Sequence, residues 1–155
     1  MKKSSTSRPF VVWLLIVLQF LLGLGALGGG GVLMAGPDGS IIHMPLSLLQ
    51  SSPFANFFLP GLILFTFVGL FPCAVAYSLL TLPTWHWPNV INPFKRMHWS
   101  WAASLAAGII VTLWITVEVQ FMPAAGIHYF YFAWGWLIVL LTLLPGLRRY
   151  CKLNS

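Results

Sequence analysis

Acidic side chains are nearly missing from this sequence: Asp38 and Glu118 are the only two in 155 residues, and charged residues of either sign make up 6%. Soluble domains carry roughly 25% charged residues, so a water-exposed globular surface is excluded. Cysteine is almost as scarce. Cys73 and Cys151 are the only two, and neither belongs to a C-x-x-C pair, which leaves a disulfide framework or a thiol relay without support. Cys73 reads as a small packing residue. Cys151, in the tail near a membrane surface, reads as either acylated or unmodified. No nucleophile elbow, phosphate loop or helical histidine pair for haem occurs, and His86 and His98 lack zinc-ligand spacing. Neither a catalytic residue nor a metal or cofactor is therefore expected.

What fills the chain is apolar: 59% of it is hydrophobic, arranged in four long runs. A membrane-spanning helix needs about 20 such residues, so one bundle uses nearly the whole length. The expected fold is an all-α membrane protein, with four transmembrane helices in an antiparallel bundle forming a single domain over residues 1–155. The expected spans are about 10–28, 57–82, 98–122 and 127–145, with an outer loop over 32–56 and a cytoplasmic loop over 83–97.

The net charge of +6 is distributed one-sidedly. Lys2, Lys3 and Arg8 precede the first run, Lys95 and Arg96 lie between the second and third, and Arg148, Arg149 and Lys152 follow the fourth. Every basic residue then falls on one side of a four-span chain, which places both termini in the cytoplasm and suits a bacterial inner membrane. The expected partners of these ends are anionic lipid headgroups, not nucleic acid.

Glu118 is the only acid within any apolar run, and such a group must be paired, neutralised or close to water. It ends a stripe of Ser100, Ser104, Ala107, Val111, Trp114 and Glu118, spaced alternately four and three apart, which is one helix face directed at neighbouring helices. Glu118 lies five residues before Pro123 and His128 five after it, so an antiparallel helix pair brings the two to one depth. Tyr131, Gly135, Ile138 and Thr142 continue the His128 face. Gln19, about halfway along the first span, wants a partner on another helix.

Gly25 and Gly29 form one G-x-x-x-G, suited to dimerisation, close packing or a helix exit, and the four glycines from Gly28 to Gly31 are expected to fray or end the helix. Beyond them, Val32–Ala35 and Ile41–Met44 flank a Gly-Pro-Asp-Gly turn, which reads as a short β-hairpin or an extended loop, with Asp38 serving the turn. Pro45 is expected to open one interfacial helical turn through Leu48 and Leu49. Pro72 should kink the second span and free a carbonyl near Val68. Trp85, Trp87, Trp99 and Trp101 read as an inner aromatic belt, and His86 and His98 as interfacial.

The outer-loop phrase from Gly36-Pro37-Asp38-Gly39 through Ser52-Pro53-Phe54 to Pro60-Gly61, with the Trp114…Glu118 pairing, resembles small four-span bacterial integral membrane proteins. That resemblance implies a layout and no mechanism. Two functions follow as expectations. One is a non-enzymatic bundle associating with lipid, a second copy of itself or another membrane protein. The alternative is a small transporter or a ligand- or proton-binding protein, whose candidate polar site is Glu118 and His128, with His43 and Asp38 from the overlying loop and Gln19 from the first helix.

Overall fold

The structure is a computed structural model and describes residues 8–153. Four helices are long and apolar enough to cross a membrane: α1 (Phe10–Ala35), α2 (Phe58–Thr81), α4 (Trp99–Phe121) and α5 (Gly126–Leu143). Two short helices, α3 (His86–Ile91) and α6 (Pro145–Cys151), lie at the end of the bundle that carries the basic residues. At about 1.5 Å per residue, even the 18 residues of α5 extend close to the thickness of a bilayer's hydrocarbon core. Helix α1 packs on α2 and α5, and α4 packs on α5 and the second half of α2.

Glycine lets two of these pairs approach backbone to backbone. A Cβ on Gly30 would stand 2.6 Å from the Gly61 carbonyl, and one on Gly108 would stand 2.8 Å from the Gly135 carbonyl. This explains why α1 does not end at its glycine run, as its helix propensity in water suggests. Each glycine disfavours the helix by about 1 kcal/mol, but frayed backbone in an apolar setting leaves polar groups unpaired at a larger cost. The helix therefore continues to Ala35, beyond the end expected near residue 28.

That extension removes one arm of the expected β-hairpin. Val32–Ala35 is the last turn of α1, Ile41 and Ile42 belong to a single 3₁₀ turn (Ser40–Ile42), and no strand occurs among the described residues. The chain reverses instead at Gly39, whose φ of 78° is left-handed, and Met44 N–H donates to the Gly39 carbonyl at 3.0 Å. A turn does form after Pro45, at Leu46–Leu49, and it buries Leu49. Phe57 is buried too, and its N–H donates to the Pro37 carbonyl at 2.8 Å, which ties the loop to the bundle.

The irregularity due to Pro72 takes a specific form. Leu64–Leu70 is wound as π-helix, so that Phe71 N–H reaches back to the Thr66 carbonyl ahead of the proline, which has no N–H of its own.

At the basic end the chain folds over itself, which changes the reading of several residues. Trp85 and Trp87 are exposed, whereas Trp99 and Trp101 are buried, and Trp101 Nε1–H donates to the Thr142 carbonyl at 2.9 Å. His98 is buried against protein, and its backbone N–H donates to the Cys151 carbonyl at 2.7 Å. Cys151 is buried as well, so the tail position does not present its thiol to a surface.

Candidate functional site

Helices α4 and α5 are joined by the short segment from Met122 to Ala125, and the turn brings Glu118 opposite His128. Glu118 Oε2 and His128 Nε2 are 4.0 Å apart, with a quarter of the Glu118 side chain and 12% of the His128 side chain exposed. That distance is too long for a hydrogen bond, so the two groups interact through charge and dipole. The other ring nitrogen is engaged: His128 Nδ1 accepts the Ala125 backbone N–H at 2.9 Å, at the start of α5. The backbone thus fixes the ring, and Nε2 is the nitrogen that stands opposite Glu118.

Beside this pair lies a cavity of about 210 Å³ between the four long helices. Glu118, Trp114, Ile115 and Val111 line it from α4, and Ile127, His128 and Tyr131 from α5. The remaining wall is apolar: Leu22, Gly25, Ala26 and Gly29 on α1, with Leu64 and Val68 on α2. From Glu118 to Val111 is about two helical turns, or roughly 10 Å of depth. The lining has one carboxylate, one imidazole and one phenol, and neither lysine nor arginine.

The other candidate residues lie apart from it. Gln19 is fully buried deeper in the bundle, where its Nε2 donates to Ser104 Oγ at 2.8 Å. Ser104 and Thr142 hydroxyls are 2.8 Å apart, and Thr142 in turn donates to the Ile138 carbonyl at 2.7 Å. Gln19 has its partner on another helix, though its Oε1 accepts no bond. Asp38 is exposed and serves its turn, with Oδ1 accepting from Ser40 N–H at 3.1 Å and Ser40 Oγ at 2.7 Å. Those bonds, the side-chain one foremost, hold its carboxyl below the usual range. His43 is exposed on the same loop, and neither it nor Asp38 lines the cavity. No group of three or more His, Cys, Asp or Glu with the spacing of a metal site occurs among the described residues.

The apolar wall from α1 and α2 has a partial signal in the sequence. Gly25 and Gly29 line this cavity, where a Cβ on Gly25 would come 3.5 Å from Tyr131 Oη. A second polar cluster, which the sequence did not suggest, closes the basic end. His98 Nδ1 accepts from Ser100 N–H at 3.2 Å and lies 2.8 Å from Ser100 Oγ, while its Nε2 is 3.0 Å from the Pro83 carbonyl. Ser100 Oγ lies 3.8 Å from Cys151 Sγ. Burial lowers the His98 pKa and pushes the Cys151 thiol up to about 11, so both groups are held neutral. A neutral thiol is a poor nucleophile.

The chain matches no family model, no curated protein and no solved structure, so the functional reading stands on these residues and distances.

Proposed function

We propose that this chain is a small four-span membrane protein that binds a compact, mostly apolar ligand between its helices, with Glu118 and His128 holding the ligand's polar end. The observation that carries the reading is the cavity itself, an apolar hollow of about 210 Å³ with its ionisable groups close together. An engineered apolar cavity of about 150 Å³ already takes up benzene, so a single ring with a short polar arm has room here. Ligand sites commonly have this composition, with an apolar lining and a few convergent polar groups.

Binding is favoured over passage across the membrane. Below Val111 the core holds Leu15, Val75, Leu79 and Ile138, all fully buried, which supports a site closed toward the basic end. The spans run alternately up and down in this reading. Its support is the pairing of Trp101 and Ser104 with Thr142, Gly108 with Gly135 and Glu118 with His128, where positions along α4 rise as those along α5 fall. The one-sided distribution of Lys and Arg supports cytoplasmic termini in a bacterial inner membrane, with the site in the opposite half of the bilayer. The exposed apolar faces of the spans meet lipid, which retains the association reading for that surface only.

Titrating para-fluorobenzyl alcohol into the full chain in lipid nanodiscs, followed by fluorine NMR with empty nanodiscs as the reference, tests the reading. Saturable binding of one molecule per chain is expected. Gly25→Leu should abolish it, since a Cβ there has ordinary room while the rest of the side chain fills the cavity. Equal binding to both chains would place the ligand elsewhere and remove the proposal.

A further inference from the structure

We infer that the ligand of this cavity is a monocation, a compact apolar body ending in an ammonium group, with Glu118 as its counter-ion. This inference rests on the reading of the cavity as a ligand site.

The charge around Glu118 is incomplete. No lysine or arginine lines the cavity from any of the four helices: α1 and α2 contribute only apolar residues and glycine, and α5 contributes Ile127, His128 and Tyr131. His128 makes no hydrogen bond to Glu118 in its observed geometry: its Nδ1 accepts the Ala125 N–H at 2.9 Å, and its Nε2 stands 4.0 Å from Glu118 Oε2. An acid in apolar surroundings ionises at little cost only when a counter-charge sits beside it, and a cation from outside supplies what the fold does not.

The remaining lining suits the same ligand. Trp114 stands one helical turn before Glu118 on α4, and Tyr131 faces it from α5, so two aromatic rings border the acidic end. Aromatic faces attract ammonium groups, and do so more strongly where water is sparse. Leu22, Ala26, Val68 and Val111 then enclose the apolar body. An anionic ligand would meet Glu118 without any cation to offset it. A neutral alcohol could hydrogen-bond to the pair but would bring no charge to pair with an ionised Glu118.

Three size-matched probes separate these cases in the nanodisc assay: para-fluorobenzylamine, para-fluorobenzyl alcohol and para-fluorobenzoate at neutral pH. The amine should bind about tenfold or more tightly than the alcohol, a difference of about 1.4 kcal/mol, and the benzoate should show no saturable binding. Glu118→Gln should bring the amine's affinity to within about threefold of the alcohol's, with circular dichroism in the same nanodiscs showing that the variant is folded. Alcohol or benzoate binding as tightly as amine in the unaltered chain would overturn the cation assignment and leave the cavity as a ligand site, a result that needs no variant. So would a preference that survives in Glu118→Gln. Loss of saturable binding by all three probes would instead remove the ligand site itself.

Discussion

The two ends of the bundle treat their polar residues in opposite ways. At the basic end His98, Ser100 and Asn92 are buried and hydrogen-bonded, with Asn92 Nδ2 donating to the Met97 carbonyl at 2.8 Å and Arg8 Nη2 to the Leu80 carbonyl at 2.8 Å. At the other end Glu118 stops 4.0 Å short of His128 beside a cavity. Polar groups with full sets of partners lock loop 82–98 and α6 onto the bundle. Those without them border the cavity, so on the proposed reading the difference separates a latch from a candidate ligand site.

Both ends depend on the α4–α5 pair, which gives the largest expected effect. Gly108→Leu puts a side chain against the Gly135 carbonyl and the Val139 amide, whose distances from a Cβ would be 2.8 and 3.0 Å. Neither atom is the mobile end of a side chain, so the helices must separate. A loss of about 3 kcal/mol of stability is expected in denaturant unfolding, together with loss of probe binding and of the basic-end latch. If one end survived intact, the ends would not share a support, and the contrast between them would need another cause.

The latch should respond to pH and to substitution in defined directions. His98 is held below its usual pKa by burial, so its contribution to stability is complete above the ordinary histidine value of about 6.5 and is lost as the pH falls through the lowered one. Cys151 has the opposite sign. Its contribution is complete below the ordinary thiol value and is lost as the pH rises toward about 11. At neutral pH its alkylation by a maleimide, followed by peptide mass spectrometry, should be at least about a hundredfold slower than that of an exposed thiol. His98→Ala removes the acceptor of Ser100 N–H and should cost about 1–3 kcal/mol while speeding that alkylation. Rapid alkylation of the unaltered chain would mean that the end is open.

Much of the site lay within reach of the sequence because it is local: Glu118 and His128 are equally distant from Pro123, and a short turn must bring them together. The α1 and α2 wall was not. Periodicity says which residues share a face, but not which helix that face will meet. The same limit hid the latch, since His98 and Cys151 meet only when α6 folds back over the start of α4. His43 and Asp38 were placed with the site on the strength of their loop, whose turn at Gly39 instead holds both on the surface. The misread hairpin has a different origin. Val32–Ala35 and Ile41–Met44 look alike on either side of a turn, while the helix that claims the first is stabilised by the approach of Gly30 to Gly61, which local sequence does not encode.

The smallest expected effect is the most discriminating. Glu118 has no side-chain hydrogen bond among the described residues, and its nearest polar partner is His128 at 4.0 Å. Replacing it with leucine therefore removes a poorly compensated acid from an apolar wall, and the folded chain should gain about 1 kcal/mol in the absence of ligand. The same change should erase any preference for the amine probe. Opposite signs for stability and binding are what a residue retained for its ligand produces. A residue retained for packing loses stability when replaced, as His98 should at the other end. Reversible unfolding of the leucine variant in the same lipid decides the matter: a loss of more than about 1 kcal/mol would make Glu118 part of the scaffold and erase the distinction between the ends.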